Sequence, residues 1–374
     1  MPVSFRAAAF YFAFFVWAGL TVAYFPPYLA ARGLSALEIS WVLALPPLAR
    51  IVAPAGWGWL ADRTGAQRAI VFVACAVSAA AYAVLPHAPG AVAIAWVVAL
   101  GSVFSAAALP LVEAITLGAL AGQAGRYGPI RVWGSIGFIG AVLAGGAWLD
   151  FHSVLTLPDA ICAFAAVAAV VALLLPAPRR HAQASAAPVS LGRPALALLA
   201  SAFCMAVAHG TLYAFLTLHL QSLGYSGALI GFLWTLGVLA EIVVFLFLPA
   251  LFRRHSLAVI LIASAALGIV RFLMIGWASH WLAVLLVAQI LHAATFGSFH
   301  AAAVAAVHRL FPDAAHARGQ ALFSSLGYGA GGAVGAVTAG WAWQAAGPGV
   351  AFTVSSLAAG AGLLFAYPLK RAGL

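Results

Sequence analysis

The chain has 374 residues, of which 66% are hydrophobic and only 6% charged, with a mean hydropathy of +1.10. A soluble domain carries about a quarter charged residues, so a water-soluble fold is excluded and a bilayer is the solvent. The net charge of +10 would suit a nucleic-acid partner, but the arginines fall between apolar runs and so report topology instead.

A spanning helix takes about 20 mainly apolar residues. Windows of that length predict twelve spans, over 7–31, 36–60, 69–86, 91–121, 130–149, 158–176, 194–222, 226–250, 257–276, 281–309, 320–345 and 349–368. The first, led by Arg6, runs apolar past the length of a signal-peptide h-region and is read as a retained span. Residues 177–193 form the longest polar stretch. They are read as a cytoplasmic linker between six-helix bundles over 1–176 and 194–374, an all-α integral membrane fold.

With a cytoplasmic amino terminus, Arg6, Arg63, Arg68, Arg126, Arg179, Arg180, Arg193, Arg253, Arg254, Arg309, Arg318, Lys370 and Arg371 face inward, thirteen against Arg32 alone. The positive-inside rule then places both termini in the cytoplasm, and an inner membrane is the expected location. The two halves also repeat. Gly33-Leu34-Ser35 overlays Gly224-Tyr225-Ser226, and at the same offset Ala49-Arg50-Ile51-Val52 overlays Ala240-Glu241-Ile242-Val243. A six-plus-six repeat is the sequence mark of a transporter with a site near the midplane.

Cys75, Cys162 and Cys204 lie in apolar runs without paired spacing, against a disulfide framework or thiolate metal site. Lys370 is the only lysine, so the core offers neither a phosphate-loop lysine nor a Schiff base. No cofactor, metal or enzymatic chemistry is expected.

Between spans two and three, Gly58-Trp59-Leu60-Ala61-Asp62-Arg63-Thr64-Gly65-Ala66-Gln67-Arg68 resembles the signature loop of the major facilitator superfamily. As a clamp at the inner face, Asp62 would meet the positive end of a neighbouring helix while Arg63 and Arg68 hold the assembly. Pro110-Leu111-Val112-Glu113-Ala114, with Arg131 eighteen residues beyond Glu113, resembles the span-four and span-five elements of lactose permease and its relatives. The resemblance implies that Glu113 and Arg131 pair and bind substrate. It also implies that Arg271 and His292 belong to a proton-coupling region. Overall texture is most similar to the phenylpropionate transporter-like members. Thr295 stands where lactose permease has its proton-carrying carboxylate, so the carrier is sought elsewhere.

Intramembrane charges are costly and mark function. Arg50 and Glu241 lie some 15 residues into their spans, about 22 Å deep, at equivalent repeat positions. Glu241 is the mid-depth acid of the second half and is read as the proton carrier, against the alternative of an ionised partner that only ties helices together. His209, His292 and His300 are weaker candidates. His292, His300 and His308 recur every eight residues, but at 100° per residue they rotate by about 80° a step, so no straight column and no metal site is expected. Tyr24, Trp17, Tyr213 and Trp234 are candidate aromatic walls of a cavity, although most such residues only pack. Gly327-Tyr328-Gly329-Ala330-Gly331-Gly332 matches a dinucleotide pattern, yet inside span eleven it is read as close helix packing.

Together these readings give a monomeric transporter in the lipid bilayer that uses alternating access on a small-molecule substrate, as a proton-coupled symporter importing a small aromatic acid. A sugar symporter and a proton-driven drug exporter are the alternatives. The expected roles are substrate binding by Glu113, Arg131, Tyr24, Trp17, Tyr213 and Trp234, and coupling by Glu241, Arg271, His292 and Arg50. Gly58, Asp62, Arg63, Gly65 and Arg68 form the clamp.

Overall fold

The computed structural model describes residues 3–120, 123–176, 191–311 and 315–374. Backbone polar groups in a bilayer must be satisfied within the chain, and among the described residues all regular structure is helical. The first half comprises α1 (Val3–Ala31), α2 (Ala36–Thr64), α3 (Gln67–Val84), α4 (Gly90–Ala119), α5 (Tyr127–Leu149) and α6 (Leu157–Ala172). The second half comprises α7 (Arg193–Ser222), α8 (Gly227–Arg254), α9 (Leu257–Ala278), α10 (Leu282–Ile290), α11 (Phe299–Leu310), α12 (His316–Phe323) and α13 (Gly332–Ala366). Most of the expected linker, 177–190, lies outside the described residues, Arg179 and Arg180 with it.

Among the described residues, eleven helical stretches are long and apolar enough to cross a membrane, and the last, Arg318–Lys370, is 53 residues long. That is two spans' worth. They meet at Gly347, whose φ of +81° breaks the helix ahead of Pro348, so twelve crossings stand, with a kink where a loop was expected.

The internal repeat is visible in the backbone. Gly33 (φ +82°) and Gly224 (φ +81°) end α1 and α7 at matching positions. Leu34 N donates to Leu29 O and Tyr225 N to Leu220 O, the same closing bond at both ends. After Gly33, Ser35 and Glu38 start α2 with a reciprocal capping box: Ser35 N donates to Glu38 Oε2 at 2.8 Å and Glu38 N to Ser35 Oγ at 3.3 Å.

The chain forms two compact units that are not the two halves. One is Met1–Leu34, Ala49–Ala182 and Ser226–Phe232; the other is Ser35–Leu48, Gln183–Tyr225 and Leu233–Leu374. Relative to chain order, two helix beginnings are exchanged between the units. In the first unit the start of α8 lies on the end of α5, where Gly227 N and Ala228 N donate to Asp150 Oδ1 and Oδ2 at 2.5 and 2.9 Å. In the second unit the start of α2 lies on α13, where Leu37 N donates to Gln344 Oε1 at 3.1 Å. A helix start leaves unpaired N–H groups, and each of these is met by a side chain from the other half of the sequence.

Small residues set the tightest approaches, as lipid-embedded packing requires. A methyl on Gly137 would strike the Phe12 backbone of α1, and one on Gly210 would strike Gly335 across the α7–α13 contact. The glycine run at 327–332 does pack closely. Gly327 faces Ala202, and a methyl on Gly331 would come within 2.7 Å of the Phe203 carbonyl.

Two π-helical turns, Ala293–Ser298 and Ser324–Gly331, interrupt the second half. Such turns concentrate at functional sites.

Candidate functional site

In the first unit, α5 places Tyr127 and Arg131 one turn apart on the same face. Glu113 and Arg131 do not form the expected salt bridge. Tyr127 intervenes, donating its hydroxyl to Glu113 Oε1 at 3.1 Å, and it stands 3.4 Å from the Tyr11 hydroxyl on α1. The Arg131 guanidinium instead lies 4.2 Å from the Phe15 ring centroid and 5.6 Å from that of Tyr11, as a cation rests on an aromatic face. Gly134 makes room for it, since a Cβ there would be 2.7 Å from Arg131 Nη1. The chain Tyr11, Tyr127, Glu113 was not foreseen. Its signal in the sequence is the four-residue step from Tyr127 to Arg131.

The aromatic candidates separate. Tyr24 is buried and donates its hydroxyl to the Val142 carbonyl, against the small residues Gly145, Gly146 and Gly231. Trp17 is buried edge-on against Tyr82, with centroids 6.2 Å apart. Both therefore pack helices in this conformation and do not present the walls expected of them. In the second unit, Tyr213 and Trp234 stack at 6.3 Å with planes 16° apart, and Trp234 Nε1 donates to Thr217 Oγ1 at 3.1 Å. Tyr213 remains 36% exposed while Trp234 is buried behind it, so Tyr213 alone of this pair offers an aromatic surface.

The polar centre of the second unit is built from α7, α8, α9 and span ten. Arg271 is fully buried. Its Nε donates to Ala288 O at 2.8 Å and its Nη1 to Thr295 Oγ1 at 3.0 Å, with His209 Nε2 at 3.5 Å. His209 Nδ1 lies 2.9 Å from Met205 O. A carbonyl can only accept, so Nδ1 carries the proton and Nε2 is left to accept from Arg271. Thr295 thus supplies a neutral hydroxyl to the arginine where the resembling family has a carboxylate.

His292 Nε2 lies 3.9 Å from Glu241 Oε2, with the Glu241 side chain 18% exposed. Span ten then departs from the expected geometry. The His292 and Phe296 rings stack at 5.3 Å and 6°, and Phe296 and His300 at 6.2 Å and 10°. The 80° step between 292 and 300 assumed α-helical winding. The π turn over 293–298 advances less per residue, so positions four apart fall into line. His300 Nδ1 then meets the Tyr328 hydroxyl in the second π turn.

Arg50 is exposed on the first-unit part of α2. The signature loop is not closed as a clamp. Asp62 is exposed and makes no hydrogen bond or ion pair with the described residues. Gly65 N returns to Ala61 O and carries the chain straight into α3. Gly58 has open space around it, Arg63 lies over the Trp59 ring at 5.4 Å, and Arg68 shares a cleft of about 300 Å³ with Arg6, Leu173 and Leu174.

A family model, described as the MFS_1 like family, matches residues 5–354. The chain belongs to that family. It is therefore a multi-pass membrane protein of the major facilitator transporter type, and not an enzyme. Among curated relatives it is 34% identical over 245 residues to a probable 3-phenylpropionic acid transporter of Escherichia coli (strain K12), covering 62% of each chain. It is 36% identical over 145 residues to a maltose permease of Geobacillus stearothermophilus, covering 38% of this chain and 36% of the relative. The matched stretches thus span less than two thirds of either relative. Among solved structures the nucleoside transporter NupG is similar, with a TM-score of 0.83, 18% identity and 99% of both chains covered. At that identity the likeness speaks for the fold of this family member.

Proposed function

We propose that this family member is a proton-coupled symporter that imports a small aromatic carboxylic acid across the inner membrane by alternating access, as a monomer with both termini cytoplasmic. The observation that carries the reading is Glu241, a carboxylate within the apolar run of α8, 3.9 Å from His292 in the same compact unit as a fully buried arginine. An intramembrane carboxylate beside a titratable ring is what a proton relay needs. The likeness to a probable 3-phenylpropionic acid transporter supports the substrate class.

Charge supplies the coupling. Arg131 and Arg271 stand against Glu113 and Glu241, with Arg50 exposed on α2, so these interior charges balance when both acids are ionised. Protonating Glu241 leaves one positive charge in excess, and an unpaired buried charge is costly. A substrate anion offsets it, so proton and anion bind each other's preferred state. In this scheme Glu113 and Arg131 contact substrate in the first unit, with Trp17 and Tyr24 entering the lining only in other conformations. Tyr213, backed by Trp234, gives a stacking surface in the second. Glu241, His292, Arg271 and Arg50 couple the proton, and the loop Gly58, Asp62, Arg63, Gly65, Arg68 acts in switching. The maltose permease match favours one alternative, a sugar symporter.

The test is uptake of labelled 3-phenylpropionate and maltose into proteoliposomes with an alkaline interior. Accumulation of the acid that collapses with a protonophore is expected. Accumulation of maltose alone would replace the acid by a sugar, and equal uptake with and without the gradient would remove the proton.

A further inference from the structure

Three buried polar atoms beside Glu241 have no hydrogen-bond partner among the described residues, namely Arg271 Nη2, Gln289 Nε2 and His292 Nδ1. Arg271 Nη2 and Gln289 Nε2 make no hydrogen bond, although Arg271 is fully buried and Gln289 is 2% exposed. An unmet buried donor costs free energy comparable to a lost hydrogen bond, and native structures keep few of them. The two that can only donate, on Arg271 and Gln289, ask for a common acceptor.

They share that neighbourhood through span ten. Arg271 Nε is held on the carbonyl of Ala288, the residue before Gln289, and Nη1 on Thr295, so the guanidinium lies along the segment that bears Gln289 and His292. Gln289 and His292 are three residues apart and share a helix face. Both border Gly237 of α8, where an added Cβ would stand 3.5 Å from Gln289 Oε1 and 3.4 Å from His292 Cδ2. Gly237 therefore lies directly against both side chains, at ordinary contact distance for a methyl.

The remaining polar groups here limit the ligand. Arg271 already has neutral acceptors on two of its nitrogens, and none of those partners is a carboxylate. None of these bonds offsets its charge; two of the unmet atoms are N–H donors, and the third, His292 Nδ1, donates or accepts according to the tautomer. A negatively charged acceptor matches the two donors beside the arginine's charge, with His292 Nδ1 able to donate as well when it carries the proton. Arg131 differs, because its guanidinium is seated on the Phe15 ring.

We infer that Arg271 Nη2 and Gln289 Nε2 form the anchor for the substrate's carboxylate, in the second unit, beside the Glu241 and His292 pair. The inference rests on the organic-acid reading and adds the groups that hold the anion. The ligand carboxylate accepts one hydrogen bond from each donor. Gln289, which no sequence motif marks, becomes a specificity-determining residue.

Gln289→Leu separates this role from a structural one. Leucine removes an amide whose donor is unmet, so the empty protein should melt at the same temperature or higher, while affinity for 3-phenylpropionate should fall about tenfold or more. Gln289→Glu, of the same shape with acceptors in place of the donor, should weaken binding further. The probes are 3-phenylpropionate and 3-phenylpropionamide, measured by calorimetry on the purified full chain, with Arg131→Gln as a comparison. Lower melting of Gln289→Leu with unchanged affinity would make Gln289 structural and overturn the anchor. So would equal binding of acid and amide by the unaltered protein, or loss of acid binding in Arg131→Gln alone. If the unaltered protein binds neither probe, the organic-acid reading fails and the anchor with it, which is a distinct result.

Discussion

Tyr127 donates its hydroxyl to Glu113 at 3.1 Å, and in doing so it separates a carboxylate from the arginine expected to neutralise it. The arrangement leaves Glu113 held by a neutral donor and Arg131 held by an aromatic face. Both charged groups therefore keep hydrogen-bonding capacity for a ligand, which a closed bidentate pair would have consumed.

Tyr127→Phe tests that separation. Without the hydroxyl, Glu113 is expected to swing onto Arg131 and close the pair. A hydrogen bond to a charged group contributes about 1.5–3 kcal/mol, so substrate affinity should fall by about tenfold or more while the protein still folds. Unchanged affinity in a binding titration would show that the tyrosine does not keep the pair open.

Glu241→Gln tests coupling. The amide keeps the shape and hydrogen-bonding reach of the carboxylate but cannot cycle a proton. Uphill accumulation driven by a pH gradient should vanish, and counterflow exchange at equal pH should persist within about a factor of three, since exchange needs no net proton movement. Intact uphill transport would move the proton to another group, with Glu113 and His292 next in line.

The two helix starts exchanged between the halves offer a graded stability test. Asp150 meets the α8 start with a charge through both oxygens, and Gln344 meets the α2 start with a neutral amide oxygen. A negative charge at a helix start gains from the macrodipole as well as the hydrogen bonds. The α2 start also has its own capping box in Ser35 and Glu38. Asp150→Ala should therefore cost more than Gln344→Ala. A lost cap of about 1 kcal/mol lowers melting by about 2–4 °C in a domain of 150–250 residues and by less in a larger chain, so a shift of about 1–2 °C is expected here. Equal melting of the two variants would remove the charge argument.

The spans were legible because a bilayer demands about 20 apolar residues between polar punctuation, and the repeat because Gly33 and Gly224 serve the same turn. The contents of the polar centre were less so. No sequence pattern marks the π turn over 293–298, and without it His292, Phe296 and His300 cannot be placed in one stack. Gln289 was missed for a related reason. An uncharged amide in an apolar run draws no notice until its donor is seen to lack a partner. Glu113 and Arg131 were found by motif, but their separation depends on Tyr127 and Tyr11, which tertiary packing brings between them. Tyr24 and Trp17 were placed by span alone, and span does not reveal which face of a helix looks toward a cavity.

Asp62 gives the most direct test of whether the signature loop switches conformations. In this conformation its carboxylate is exposed and bonded to none of the described residues, so replacing it removes no contact and should leave melting unchanged. A residue acts on a transport cycle only through differential interaction with its states. Any role of Asp62 must then lie in another state, where a carboxylate can meet a helix start. Asp62→Asn should accordingly leave the melting temperature within about 1 °C, because no interaction made here is lost, and substrate affinity should hold within about twofold. Exchange turnover in proteoliposomes should slow by about tenfold, as expected if the residue contributes about 1.4 kcal/mol to a state or barrier the cycle must pass. Arg63→Gln serves as a control for charge alone, since Arg63 already rests on Trp59 and positive-inside topology tolerates one loss among many. If Asp62→Asn exchanges as fast as the unaltered protein, the loop holds topology only, and the conformational switch must be built from the helix starts at Asp150 and Gln344.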